Sequence, residues 1–222
     1  MKFSLKREIV YWVLCLIPFI FLAAVYKSMP VSVPTHFDID GKIDDWSSKS
    51  SLWVVPASTT VFIYLLLIIA PKIDPKQRLI KYPGKSERFK FIMLLFITTI
   101  SCFCIYISYK QSIAHLDKFL FSIIGLFFAA LGNFFPALKP NYFMGIRSPW
   151  ALENEIVWKK THQFAGKLWV IGGLFLAFLP FLLTNTMLMF KIFISVTLFI
   201  ALVPIAFSFI VWRKLKNGKI IE

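Results

Sequence analysis

Residues 192–212 read IFISVTLFIALVPIAFSFIVW, 21 positions without a charge. A helix rises about 1.5 Å per residue, so this run covers roughly 30 Å, the thickness of a bilayer's hydrocarbon core. Five more runs match it, at 9–26, 53–70, 89–109, 119–138 and 168–184, and Lys90 is the one charge within any of them. Hydrocarbon offers no water to the backbone, so a spanning segment is a helix or part of a closed barrel. Barrel strands alternate in polarity over about ten residues, and these runs do not. The expected fold class is all-α integral membrane: six transmembrane helices forming a single domain over residues 1–222.

Composition agrees. Hydrophobic residues make up 58% of the 222 and charged ones 16%, against about a quarter charged in a soluble domain. The runs are spread so evenly that no separate soluble domain has room to form. The first is longer than the 7–15 apolar residues of a signal peptide, and no A-x-A site follows it, so it counts as a true span. Cys15, Cys102 and Cys104 all fall within runs, where they read as small apolar residues rather than a disulfide framework.

Orientation follows from Lys and Arg, which gather on the cytoplasmic side. With both termini cytoplasmic, 19 of the 25 basic residues lie inside, leaving Lys27, Lys42, Lys49, Lys110, Lys118 and Lys191 outside. The net charge of +14 then reads as a topology signal with attraction to anionic inner-leaflet lipid. It implies no direct nucleic-acid partner.

Two connections carry most of the polar information. The first, residues 27–52, is expected as an extracellular loop module and reads KSMPVSVPTHFDIDGKIDDWSSKSSL. Pro30 and Pro34 forbid a regular helix, Asp40-Gly41 is a turn pairing, and Trp46 and Trp53 suit the bilayer surface. A compact, folded loop is expected. His36, Asp38, Asp40, Gly41 and Asp44 fall on EF-hand positions 1, 3, 5, 6 and 9, but Ser47 stands where a bidentate Glu belongs. Solvated aspartates in a turn are the better reading, and no metal or cofactor is assigned.

The second, residues 139–166, is expected as a cytoplasmic amphipathic segment and reads KPNYFMGIRSPWALENEIVWKKTHQFAG. Ser148 suits an N-cap and Pro149 the first helical position. Glu153 and Glu155 come early and Lys159 and Lys160 late, as the helix dipole favours. Trp150, Val157, Trp158, Thr161 and Phe164 gather on one side. The pattern fits a helix lying in the interface before span five, or a docking surface for a cytoplasmic partner.

Much chemistry is missing. No span carries Asp, Glu, Arg or His at mid-depth, as ion pathways need. Asn133 beside Gly132 is the most polar mid-span feature, and small residues there commonly serve close helix packing. H-E-x-x-H, G-x-S-x-G and P-loop motifs are absent from the sequence. No catalytic residues are assigned, and the chain reads as non-enzymatic. A small transporter, or a membrane enzyme of lipid or envelope metabolism, is the competing class.

The two connections together resemble a known family. The outer module Met29, Pro30, Pro34, His36, Phe37, Gly41 and Asp44, and the inner run Gly145, Arg147, Pro149, Trp150, Glu153, Glu155 and Trp158 with Thr161, His162 and Gly166, are similar to the two signatures of the SdpI family of bacterial multi-pass membrane proteins. The founding member protects a bacterium from its own secreted peptide toxin and draws a cytoplasmic transcriptional repressor to the membrane. The resemblance implies an immunity and signalling protein of the bacterial cytoplasmic membrane. It would place a toxin-facing outer loop (Pro30, Pro34, His36, Phe37, Asp40, Gly41, Asp44) opposite an inner docking segment (Gly145, Arg147, Pro149, Trp150, Glu153, Glu155, Trp158).

Overall fold

The structure is a computed structural model that describes residues 5–37, 43–69, 72–73, 83–111 and 116–218. Helix α1 (Leu5–Val25) ends in a 3-10 turn, Tyr26–Ser28, and leads to strands β1 (Ser32–Phe37) and β2 (Ile43–Ser48). A second 3-10 turn, Lys49–Trp53, opens α2, residues 54–69, which passes through a π-helical turn at Ala57–Val61. Pro56 stands immediately before that turn; a proline inside a helix has no N–H to give and crowds the preceding turn. Helices α3 (Pro83–Lys110) and α4 (Leu116–Phe134), a 3-10 turn Phe135–Ala137, and α5 (Pro149–Glu153), α6 (Glu155–Leu182) and α7 (Thr186–Lys216) follow.

Six segments are long and apolar enough to cross a membrane: Glu8–Ser28, Lys49–Ile69, Ser86–Lys110, Lys118–Ala137, Glu155–Leu182 and Thr186–Lys216. Each contains nearly all of one expected run. Many of their large side chains are exposed, among them Ile20, Phe62, Phe178 and Leu182, as lipid-facing surfaces require.

The residues pack as two units, Met1–Ile68 with Lys90–Ile123, and Ile69–Phe89 with Ile124–Glu222. In the first, Tyr11, Leu14, Cys15 and Leu94 form one buried cluster and Leu22, Met29, Val33, Leu52 and Ile105 another. Pro18 inside α1 cannot donate to the carbonyl four residues back, on Leu14. The hydroxyl of Thr98, on α3, donates to that carbonyl at 3.0 Å. Thr60 on α2 likewise donates to the Cys15 carbonyl at 3.3 Å.

In the second unit the same device recurs. Pro204 inside α7 orphans the Ile200 carbonyl, and the indole N–H of Trp169 on α6 donates to it at 2.7 Å. Helices α4 and α6 meet along a glycine seam. A methyl group on Gly132 would lie 2.6 Å from the Val170 nitrogen, and one on Gly166 would lie 2.8 Å from the Gly132 carbonyl. One on Gly173 would meet the Gly125 carbonyl at 2.7 Å. Without water to drive association, such close backbone approach supplies the attraction between helices.

The inner connection departs from the single surface helix expected over it. Helix α5 stops at Glu153, Asn154 is extended (φ −128°, ψ 122°), and α6 starts anew. The Asn154 side-chain oxygen accepts from the Ile156 and Val157 N–H groups at 2.9 and 3.1 Å. An N-cap therefore sits where the charge pattern suggests continuity. Residues 155–166 are the opening turns of the fifth span, not a separate interfacial helix.

Trp169→Phe keeps the ring and removes the donor, and Thr98→Val removes the hydroxyl. Each should lower unfolding free energy in detergent or bilayer discs by about 1 kcal/mol. Equal stability of both variants and the parent chain would show that these carbonyls need no partner.

Candidate functional site

The outer module is a two-stranded antiparallel hairpin, with Ser32 opposite Ser48, Pro34 opposite Trp46 and His36 opposite Asp45. Register shifts flank His36; Pro34 brings no N–H to the ladder. The base is fixed to its unit. Val33 and Leu52 are buried against Leu22 and Ile105. The Gln111 amide donates to the Ser32 carbonyl at 3.1 Å and the Ser108 hydroxyl to the buried Pro34 carbonyl at 3.5 Å. Lys49 donates to the Tyr26 and Met29 carbonyls at 3.2 and 3.4 Å and lies over the Tyr26 ring, which suits a cation at the end of α1.

Above this base the side chains face outward. His36 Nδ1 and Asp44 Oδ1 are 2.6 Å apart with both residues exposed, a pair that contributes little to stability and offers polar atoms to a ligand. Thr35 donates to Asp45 at 3.3 Å, and Trp46 is exposed. Pro30 is half-buried at the foot of the hairpin. Asp40 and Gly41, with Asp38, lie outside the described residues. Among the described residues no group of three or more metal-ligating side chains comes together.

The inner segment is organised by two polar side chains. Asn141 is buried; its side-chain oxygen accepts from the N–H groups of Phe143 and Met144 at 2.8 and 2.7 Å. His162 is buried on α6, stacked on Trp158 with 4.0 Å between centroids. The Ile146 N–H donates to His162 Nε2 at 3.0 Å, so the ring proton sits on Nδ1, which faces the Trp158 carbonyl at 2.9 Å. Gly145 sits against that ring at φ +93°, where a Cβ would strike His162 Nε2. Trp158 is 1% exposed and donates its indole N–H to the Leu138 carbonyl at 3.0 Å.

Trp150 donates its indole N–H to Ser208 on α7, and its ring lies beside Phe209 and Trp212. Ser148 turns its hydroxyl to Ser208 at 2.9 Å, while its carbonyl accepts the first α5 N–H groups. Of the expected docking residues, Arg147, Pro149, Glu153 and Glu155 are exposed, Trp150 is half-buried, and Gly145 and Trp158 support the loop from within.

A model of the SdpI/YfhL protein family matches residues 137–211, and a domain of unknown function (DUF1648) matches residues 13–60. Immunity protein SdpI of Bacillus subtilis (strain 168) is 23% identical over 177 residues, 80% of this chain and 83% of that protein. The chain is similar to the SdpI family over the matched residues 137–211 and, through this one relative, over most of its length. It is a multi-pass bacterial membrane protein, and the family that residues 137–211 match is not an enzyme family. No solved structure matches it. The family match takes in the inner segment together with α6 and most of α7. The second match takes in most of α1, the hairpin and the start of α2.

Another polar cluster escapes both motifs. Glu8, 7% exposed, meets Lys90, 4% exposed, at 3.0 Å. The Tyr64 hydroxyl donates to the second Glu8 oxygen at 2.7 Å, and Trp12 donates to Tyr64 at 2.9 Å. Lys90 also lies 4.0 Å from the Tyr11 ring centroid. Its sequence signal is Lys90 itself, since an ionisable group in a span demands a partner. Glu8→Gln or Lys90→Met alone should cost about 3–5 kcal/mol of stability, because each leaves a buried charge unpaired. The double variant should recover most of that in equilibrium unfolding. Additive losses would show that the two charges act separately.

Proposed function

We propose that this chain is an immunity protein that protects its host from a secreted peptide toxin by binding it, without catalysis. Similarity to Immunity protein SdpI across 80% of the chain carries this reading. The termini face the cytoplasm, the orientation that puts 19 of the 25 basic residues on that side, and the hairpin faces outward. His36 and Asp44, held out on a base anchored by Val33 and Lys49, form the toxin-facing surface with the half-buried Pro30, while the buried Pro34 shapes the strand beneath them; Phe37, Asp40 and Gly41 join the proposal by the family resemblance alone. On the opposite side the exposed Glu153 and Glu155 contact a cytoplasmic repressor, with Arg147 and Pro149 at the edge of that face, on a loop shaped by Gly145 and Trp158. Toxin binding shifts the balance between two arrangements of the spans, which changes the affinity of this face for the repressor.

The features that would favour a transporter have another use. Gly125 and Gly132 belong to the α4–α6 seam. Asn133 is exposed, one residue from the end of α4. Loss of function on substituting the glycines would report helix packing.

Survival of a toxin-sensitive bacterium expressing the chain tests the reading. Wild type should protect, and His36→Ala at equal membrane abundance should lower protection about tenfold, the loss of one contact of about 1.4 kcal/mol. Cysteine placed at His36 should react with a membrane-impermeant maleimide on intact cells. Failure to protect against any secreted peptide toxin, with the protein abundant in the membrane, would contradict the immunity role.

A further inference from the structure

A cleft of about 690 Å³ opens beside the inner segment, lined by Tyr142, Arg147, Ser148, Trp150, Leu152 and Ile205 among others. That volume is typical of small-ligand sites. Its two ends differ in chemistry. At the mouth stands Arg147, whose one hydrogen bond among the described residues is from Nη1 to the Tyr142 carbonyl at 2.7 Å. A guanidinium carries five N–H donors in a planar fork that matches a phosphate, so most of the fork remains for a ligand. The apolar side, or floor, includes Ile205, which is exposed on α7 seven residues before Trp212. Seven residues of helix make about 10 Å, so Ile205 lies that far from Trp212 along a segment long and apolar enough to cross a membrane.

The cleft stands ready without a ligand. Asn141 and His162 hold the loop that carries Arg147, and Gly145 takes the left-handed conformation that brings the chain around. Trp150 and Ser148 are both tied to Ser208 on α7, which fixes the apolar wall. Rigid walls spare a ligand the entropy of ordering them. Glu153 and Glu155 are exposed on neighbouring turns but do not line the cleft.

We propose that this cleft binds an anionic phospholipid, the phosphate of its headgroup on Arg147 and one acyl chain against Trp150, Leu152 and Ile205. A soluble phosphate would fill the mouth and leave the apolar floor uncovered. An acidic peptide would meet Arg147 but would have to enter the bilayer to reach Ile205. A phospholipid satisfies both ends from where it already resides. This inference does not depend on the immunity reading.

The test uses the full-length protein in mixed micelles holding equal phosphatidylglycerol and phosphatidylcholine of matched chains, with retained lipid counted by native mass spectrometry. Wild type should retain phosphatidylglycerol about tenfold over phosphatidylcholine, a difference of about 1.4 kcal/mol. Arg147→Gln should bring the ratio to about one, and Arg147→Lys should lie between. Lys159→Gln, an exposed cation outside the cleft, should leave the ratio unchanged. Ile205→Trp, which fills the floor, should lower retention of phosphatidylglycerol, and it decides the matter if Arg147→Gln proves unfolded. Equal retention of the two lipids by wild type, or an unchanged preference in a folded Arg147→Gln, would overturn the site. A loss in Lys159→Gln as large as in Arg147→Gln would replace it with diffuse surface charge. Thermal stabilisation by glycerol 3-phosphate equal to that by phosphatidylglycerol, or displacement of phosphatidylglycerol by polyglutamate, would overturn the lipid assignment.

Discussion

A buried carbonyl in hydrocarbon has no water to turn to, and this chain places prolines where they create such carbonyls. Pro18 frees Leu14 and Pro204 frees Ile200, and each is met by a donor from the next helix, Thr98 and Trp169. A proline in one helix is thereby answered by a bond from its neighbour. The proline alone would leave a backbone group unpaired at a cost of about 1 kcal/mol. The rest of each unit builds on such crossings. In the first, Thr60 and the Glu8–Lys90–Tyr64 cluster add polar ties between helices. In the second, the glycine seam lets α4 and α6 approach closely enough for dispersion to act.

Rigid helices allow the two connecting segments to hold defined shapes with little core of their own. The hairpin, too short to be stable alone, draws its order from Val33, Leu52, Lys49 and Gln111 against the helix ends. The inner loop draws its order from Asn141 and from a histidine that works as a structural acceptor, not as an acid or base. In both, the conserving of shape is left to buried residues, while polar side chains such as His36, Asp44, Arg147 and Glu153 stay outward.

The six spans were legible because each is an apolar run of the right length with no charge but Lys90, and membrane insertion responds to little else. The outer connection was legible as folded, since Pro30, Pro34 and Asp40-Gly41 rule out a helix. Its strands were not, because a six-residue strand interrupted by Pro34 shows no clean alternation. Periodicity misread the inner connection: the charges from Glu153 to Lys160 run on through Asn154, and only its side chain, capping the next helix, marks the break. The same stripe placed Trp158 beside Trp150 as a docking residue, although one is buried and the other half-buried. Spacing reports which residues share a face, not what covers it. The Glu8–Lys90 pair joins residues 82 apart in the chain, a distance at which sequence can name the lone charge but not its partner.

We propose that the hairpin and the inner segment work together as one binding device. Hydrogen–deuterium exchange of the full chain in bilayer discs, with and without a peptide toxin against which it gives protection, tests this most directly. The account predicts slower exchange in the hairpin, residues 32–48, together with a change in the inner segment, residues 141–154. Toxin binding that leaves the exchange of both segments unaltered would contradict it.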